Sequence, residues 1–324
     1  MRTVELPANQ PPDRFYLGGE RIAAFRGTRV DSARVPEDWI ASTTTLAGSA
    51  TLGLTTLPGG GTLREAVAAD PVGWLGPDHL ERFGPDTRLL VKLLHAGQRL
   101  PVHAHPDGAF AATHLGRRHG KAEAWYILHG GRVHLGLRRE VALSELADLV
   151  TGQCVEELLA LLHPVDVSSG DVVYVPPGML HAIGADVFLT ELQEPEDLSI
   201  LLEWRDFALD GERDGHLGLG FGQALRAVDR GPVPPARMSA LVRAGGSGRS
   251  VLPAAADPYF RLDHLHVVDD TVVERGFAVI VVVEGELAFD GRMFPAGSTV
   301  VAPWAAGDLV VRGQGRVLVC RPPS

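Results

Sequence analysis

Three histidines and one glutamate, set among glycines and a proline at fixed spacings, constrain this 324-residue chain more than any other feature. The first block has the form Gly-x5-His-x-His followed by Glu-x6-Gly, and the second has the form Gly-x5-Pro-x-Gly-x2-His. Alternate residues of a strand point to the same face of a sheet, so the paired histidines of the first block can reach one metal ion. The candidate ligands are His103, His105, Glu123 and His181.

The two blocks match the paired motifs of the cupins, which predicts a mainly β, jelly-roll fold. The gap between His105 and Glu123 is longer than in the commonest cupins. Three imidazoles and one carboxylate form a borderline-soft site that suits Zn, Fe, Mn, Co or Ni better than Mg or Ca. We therefore expect one divalent metal ion, with Zn²⁺ as the first choice. The alternative is a degenerate cupin that has kept the shape without the metal.

Composition narrows the classes of partner. The chain carries a formal net charge of -10, which opposes attraction to nucleic acid or to an anionic membrane. Its two cysteines, Cys154 and Cys320, form no CxxC pattern, which argues against a disulfide framework or a thiolate zinc site. No secretory signal is visible, and the longest apolar run, 277–283, is too short to span a bilayer. We expect a cytoplasmic protein that binds a small molecule.

Turn residues and periodicity predict two cupin domains. Residues 1–243 form a catalytic domain with a helical insert at approximately 141–163, and residues 250–324 form a metal-free cupin-like domain. The Gly- and Ser-rich stretch 244–249 is the predicted linker. A monomer is plausible because the two jelly rolls can bury their faces against each other.

Three local predictions accompany this organisation. Residues 14–57 are expected to form strands and turns. Thr62 and Glu65 form a capping box that predicts a short helix, and Ser144 is the expected cap of the first helix of the insert.

Several segments of the sequence resemble the class I mannose-6-phosphate isomerases. The resemblance covers nearly the whole chain, and its most specific part is the Gly-Lys-x-Glu-x-Trp-Tyr stretch around Glu123. The segments that carry it are Glu37-Asp38-Trp39, Leu90-Val91-Lys92-Leu93-Leu94, His105-Pro106-Asp107, 120–127, 170–182 and Glu191-Leu192-Gln193.

The resemblance implies a zinc enzyme that interconverts an aldose phosphate and a ketose phosphate through an enediol. It carries the metal-ligand role to His105, Glu123 and His181, while the position of His103 is often Gln in the family. Mannose 6-phosphate and fructose 6-phosphate are the default substrates.

Two departures from the family pattern concern the phosphate group. Pro101 replaces a serine that helps to bind phosphate, and Leu201 replaces a functional arginine. An isomerase of an unphosphorylated sugar, such as mannose/fructose or a pentose, is therefore an open alternative. Arg205 lies four residues beyond Leu201 and is a candidate replacement.

Lys121 is the first catalytic candidate, because an isomerase needs a group that holds or moves protons at O1 and O2. A buried ammonium beside a metal can titrate low enough for this role. Glu191 is the candidate general base by its resemblance to the family. Arg117 and Arg118 form either an exposed charged turn or a basic pocket for an anionic substrate.

Other features leave alternatives open. His264 and His266 repeat the His-x-His spacing, but no matching Glu-x6-Gly follows, so we expect no second metal site. Trp125, Tyr126 and Tyr174 belong either to the pocket or to the core. An Fe(II)-dependent cupin dioxygenase would use the same ligands, and a non-catalytic sugar-binding protein would bind without turnover.

Overall fold

The computed structural model describes residues 1–324, and antiparallel β-sheet dominates it. The strands, in chain order, are β1 (Val4–Glu5), β2 (Glu37–Ile40), β3 (Leu90–His95), β4 (His103–Ala104), β5 (Glu123–His129), β6 (Gly131–Leu137), β7 (Leu162–Val167), β8 (Val172–Val175), β9 (His181–Ile183), β10 (Phe188–Gln193), β11 (Ile200–Leu201), β12 (Val242–Arg243), β13 (Arg261–Val267), β14 (Thr271–Val273), β15 (Ala278–Phe289), β16 (Arg292–Pro295), β17 (Thr299–Ala302) and β18 (Leu309–Arg321).

Short helices lie between the strands. They are α1 (Glu20–Arg26), α2 (Leu63–Ala69), α3 (Pro71–Leu75), α4 (Pro77–Phe83), α5 (Gly108–Phe110), α6 (Leu143–Thr151), α7 (Val155–Ala160), α8 (Gly211–Asp214), α9 (Phe221–Ala224) and α10 (Pro235–Leu241), with tighter or wider turns at Ala111–Leu115, Leu225–Ala227, Ala254–Ala256 and Trp304–Ala306. No helix is both long enough and apolar enough to cross a membrane.

The strands form three sheets. A six-stranded sheet has the order β12-β8-β5-β10-β3-β2, and a five-stranded sheet has the order β11-β4-β9-β6-β7. The third sheet follows the order β1-β17-β15-β18-β13, with β14 paired to β18 and β16 to β15. The mainly β fold expected from the motifs is thereby confirmed.

The six- and five-stranded sheets share one apolar core. Trp125, Ile127 and Leu189 of the first sheet belong to the same buried cluster as Leu135 and Ile183 of the second. The same cluster continues into the last sheet, through side chains such as Phe260, Leu262 and Leu318. The two regions predicted from the sequence therefore pack against each other through a common core.

The helical insert covers the outer face of the five-stranded sheet, behind the strands that carry the histidines. Leu146, Val150 and Leu158 of α6 and α7 cluster with Ala104 and Ala182, the neighbours of His103 and His181. Side chains of a strand alternate between its faces, so the small apolar residues face the helices and the histidines face the interior of the sandwich.

Two local predictions are wrong. Residues 14–57 contain the helix α1 in addition to strand and turns, because its short amphipathic segment buries Ile22 and Ala23. Ser144 lies inside α6, and the residue that precedes the helix is Ala142, whose side chain makes no cap. The capping box at Thr62 and Glu65 is present as expected.

Candidate metal centre

Three histidines meet in the interior of the sandwich. His103 in β4 lies directly opposite His181 in β9, and His105 follows two residues after His103 on the same face. One ring nitrogen from each histidine lies within 4.8 Å of the others, and all three side chains are buried. The structure thus assembles a group that could hold a metal ion.

Backbone carbonyls orient all three rings. The Nδ1 atoms lie 2.8, 2.7 and 2.9 Å from the carbonyl oxygens of Pro101, Leu198 and Met179 for His103, His105 and His181 respectively. A carbonyl can only accept, so each Nδ1 carries the proton and each Nε2 presents a lone pair.

The Nε2 atom of His181 is buried and has no hydrogen-bond partner. Buried polar atoms are rarely left without a partner, so this nitrogen points to a group that binds there. Burial and the other two imidazoles lower the pKa of His103, and burial together with His105 lowers the pKa of His181 to about 3. Neutral imidazoles are the form that ligates metal, so the donor set fits a divalent ion.

Glu123, the first residue of β5, faces the histidines from the opposite sheet. Its Oε1 lies 2.9 Å from His105 Nε2, and its Oε2 lies 3.6 Å from His181 Nε2. Burial alone would raise the pKa of Glu123, but His105 and Lys121 lower it well below its usual value. Glu123 is therefore a buried, negatively charged carboxylate beside His105 and His181.

Lys121 lies beside the same centre. Its Nζ is 2.8 Å from Glu123 Oε1 and 3.4 Å from His105 Nε2, and the residue is 5% exposed. Burial lowers the pKa of this ammonium, but Glu123 and Glu191 outweigh burial and raise it.

Glu191 in β10 approaches the centre from the neighbouring strand. It lies opposite Trp125 in β5 and opposite Lys92 in β3, and its side chain is hydrogen-bonded to Glu123. Burial and the charge of Glu123 raise the pKa of Glu191 well above its usual value.

A small cavity, of about 40 Å³, opens beside these residues. Its charged lining residues comprise three cations and four carboxylates: Arg14, Lys92, Lys121, Glu37, Glu123, Glu191 and Asp197. Arg14 lies 3.2 Å from Glu37 and 4.0 Å from Asp197, and Lys92 lies 3.5 Å from Glu37. Every cation of this metal cavity therefore already has a carboxylate within 4.0 Å.

Glu37 organises one wall of the metal cavity. It also accepts hydrogen bonds from Tyr16 at 2.6 Å and from the indole of Trp39 at 2.7 Å. Burial would raise the pKa of Glu37, but Arg14 and Lys92 lower it far below its usual value. The result is a fixed negative charge.

The sequence-based reasoning missed Arg14, Tyr16, Glu37 and Asp197 as cavity residues, and it gave Lys92 no role. One signal could have found Lys92. The chain contains only two lysines among its 30 basic residues, and both line this cavity.

The structure does not bring Arg117, Arg118 or Arg205 to the metal cavity. The side chains of Arg117 and Arg118 are 54% and 75% exposed, and they line a separate surface pocket. Arg205 is exposed, and its backbone N–H donates to Gln153. Pro101 and Leu201, by contrast, do line the metal cavity.

The three aromatic residues left open by the sequence belong to the core cluster and do not line the cavity: Trp125, Tyr126 and Tyr174. The Tyr126 hydroxyl lies 3.2 Å from His264 Nε2, and His264 Nδ1 lies 2.7 Å from the carbonyl oxygen of Gly246. His264 therefore lies where the six-stranded sheet contacts the last sheet.

Comparisons with known proteins come from sequence and from structure. No family model matches the chain. It is 34% identical over 134 residues to the mannose-6-phosphate isomerase of Streptococcus mutans, a match that covers 39% of this chain and 41% of that protein. It is 26% identical over 246 residues to the mannose-6-phosphate isomerase ManA of Bacillus subtilis, covering 71% and 74% of the two chains. The matched region spans about two fifths of the length of the first of these relatives.

The folds of solved structures match that of this chain over nearly its whole length. The mannose 6-phosphate isomerase from Bacillus subtilis superposes with a TM-score of 0.74 at 21% identity, covering 99% of this chain and 100% of that one. A variant of phosphomannose isomerase from Salmonella typhimurium gives a TM-score of 0.75 at 15% identity, covering 100% of both chains. The chain is thus similar in sequence to mannose-6-phosphate isomerases over part of its length, and similar in fold to solved mannose-6-phosphate isomerases over nearly all of it.

Proposed function

We propose that this chain is a metal-dependent aldose–ketose isomerase of the mannose-6-phosphate isomerase type, which converts mannose 6-phosphate to fructose 6-phosphate through an enediol. The observation that carries the proposal is the set of three Nε2 lone pairs facing Glu123, with Lys121 at hydrogen-bond distance from the same carboxylate. The sequence relatives that share this fold supply the reaction class.

His103, His105, Glu123 and His181 would hold the metal ion, with Zn²⁺ preferred and Fe, Mn, Co or Ni as alternatives. A divalent ion there supplies a Lewis acid that polarises the substrate's carbonyl and hydroxyl oxygens. The carbonyl-anchored rings keep the Nε2 atoms in place before the ion binds, so little reorganisation accompanies binding.

Lys121 donates a hydrogen bond to the substrate oxygen on which negative charge develops as the enediol forms. Its ammonium is fixed by Glu123, so it is already oriented toward the centre. Such preorganised donors contribute more inside a water-poor cavity than they would in water. Glu191, on the same wall, moves the proton between C1 and C2.

A specific observation favours a second substrate, the unphosphorylated sugar. Pro101 and Leu201 line the metal cavity where the family has a serine and an arginine for the phosphate. Each of the three cations there also has a carboxylate partner, so a phosphate dianion would compete with carboxylates for every one of them. Sugar hydroxyls would instead find both donors and acceptors.

The test is turnover of the zinc-loaded protein on mannose 6-phosphate and on free mannose, side by side, with the products identified by proton NMR. Fructose 6-phosphate as the product supports the first substrate. Fructose from free mannose alone identifies the unphosphorylated sugar. Failure to isomerise any aldose tested, with a full metal complement, contradicts the proposed reaction.

A further inference from the structure

A second cavity, of about 270 Å³, lies between α3–α4 and the last sheet. Four arginines line it: Arg82, Arg261, Arg275 and Arg321. We call it the arginine cavity. It shares no lining residue with the metal cavity.

None of these four guanidinium groups has a carboxylate within 4.0 Å. Arg321 donates to the carbonyl oxygens of Glu274 at 2.5 Å and of Phe277 at 3.5 Å, and Arg261 donates to that of Pro322 at 3.1 Å. The other two lie over aromatic rings, Arg275 at 4.8 Å from the Trp304 ring and Arg82 at 5.3 Å from the Phe83 ring. Carbonyls and rings orient a guanidinium but do not neutralise its charge.

The acidic residues nearby, Asp263 and Glu274 among them, raise the pKa of Arg261 and Arg321 from a distance, but none comes within 4.0 Å of either guanidinium. Glu274 forms its ion pair with Arg249 at 3.3 Å, and Asp263 accepts a hydrogen bond from the backbone of Ser250. Asp78 and Ser324, the last residue of the sequence, line the cavity without approaching an arginine within 4.0 Å.

Two of the arginines stand directly opposite each other. Arg261 in β13 pairs in register with Arg321 in β18, and like charges at such positions destabilise a sheet. Arg321 is only 8% exposed, so solvent screens its charge weakly. Burial and the charge of Arg261 lower the pKa of Arg321 to about 10.

The backbone leaves room for this arrangement. A Cβ on residue 276 would lie 2.7 Å from Arg321 Nη1, and Gly276 has none. The guanidinium therefore occupies space that a side chain at this position would take.

We propose that the arginine cavity binds a small molecule that carries a phosphate group. A planar guanidinium offers two parallel N–H donors that match phosphate oxygens, and a dianion between Arg261 and Arg321 removes their mutual repulsion. The volume of about 270 Å³ lies close to the lower end of the range of small-molecule sites, so the ligand is a small metabolite such as a sugar phosphate or a nucleotide.

Isothermal titration calorimetry tests the proposal, with inorganic phosphate, fructose 6-phosphate and ADP titrated separately into the full-length protein. We expect saturable binding of at least one of them with a Kd of about 1 mM or tighter. Arg321→Gln should weaken it at least about tenfold, the effect of roughly one lost charge-assisted hydrogen bond. Binding of the hexose phosphate or of the nucleotide that is tighter than that of phosphate, and that Arg321→Gln weakens, identifies the organic part of the ligand of the arginine cavity.

Two further variants keep the outcome interpretable. Arg275→Ala changes an exposed arginine, so it should fold normally and still weaken binding. Arg312→Ala, whose exposed arginine pairs with Asp270 at 3.0 Å, is the matched control and should bind as the wild type does. Absence of binding in the wild type, or equal binding in the wild type, Arg321→Gln and Arg275→Ala, overturns the proposal.

The metal cavity must be excluded as the site of the measured binding. A His181→Ala background removes a metal ligand, and phosphate binding should persist there unchanged. Binding that disappears with His181 would belong to the metal cavity and would also overturn the proposal.

Discussion

The metal cavity and the arginine cavity differ in whether their cationic side chains are paired with carboxylates. In the first, Arg14, Lys92 and Lys121 each have a carboxylate within 4.0 Å, whereas in the second the four arginines have none. A cation that already has a partner can orient a neutral ligand through its remaining donors, but it offers little net attraction to an anion. An unpaired, poorly solvated cation retains that attraction. This difference is the basis both for the second candidate substrate of the metal cavity, an unphosphorylated sugar, and for the proposal that the arginine cavity binds phosphate.

The largest predicted effect separates the two cavities by removing a metal ligand. His181→Ala should lower isomerase turnover by more than about 100-fold, because losing a ligand costs more than losing one of its supporting contacts. Metal content measured by mass spectrometry should fall with it, while calorimetric phosphate binding stays at the wild-type level. His264→Ala, which removes a histidine outside the cluster, should retain the metal. Full metal occupancy in His181→Ala would contradict the ligand assignment.

Lys121→Ala tests the paired cation nearest the centre. We expect the metal to remain and kcat to fall by about 10²- to 10⁴-fold, the usual contribution of a positioned proton donor. Lys121→Arg is the matched variant, since it keeps the charge but replaces the compact ammonium with a planar group. Wild-type kcat in Lys121→Ala would remove this residue from the mechanism.

Two arginine substitutions compare the cavities through stability. Arg14→Met leaves Glu37 with one cationic partner fewer in a buried position, and breaking such a pair costs about 3 kcal/mol of the free energy of unfolding. Arg321→Met loses hydrogen bonds to carbonyls but also removes the repulsion between Arg321 and Arg261. Its free energy of unfolding should therefore fall by less than that of Arg14→Met. Urea denaturation of both variants measures the difference. A larger loss for Arg321→Met would contradict the charge assignment of the two cavities.

The smallest predicted effect is a change in acid sensitivity. The pKa of Glu37 is lowered in the folded state, so this carboxylate adds stability above its ordinary pKa of 4.5, and that stability is lost as pH falls below it. Glu37→Gln should be less stable than the wild type at pH 7 and should lose less stability between pH 5 and about 3. Thermal denaturation of both proteins across this pH range measures how steeply their stability changes with pH. Glu65→Gln, at an exposed helix cap, is the control for a surface carboxylate.

The meeting of the three histidines could be predicted from the sequence because their spacing is local. His103 and His105 share a strand face, and the turn after Pro176 places His181 opposite His103. Lys121 could be assigned because it precedes Glu123 by two residues.

The rest of the cavity depends on strand register, which the sequence does not express locally. Lys92 lies opposite Glu191 and Trp39 only because β3 pairs with both β10 and β2. Arg14 reaches the cavity from an irregular segment before α1. The sequence of a charged loop such as Arg117-Arg118 is typical of a binding element. Only the three-dimensional fold shows that this loop lines a pocket other than the metal cavity.

Strand β1 has a consequence for how the chain is made. Val4 pairs with Val301, so β1 finds its partner strand only after the long segment between them has been synthesised. Until then the edge of β17 is open, and unpaired edges are where chains join one another and aggregate. Closing so long a loop is also slow relative to local contacts. Assembly of the last sheet therefore waits for β1 and β17 to meet.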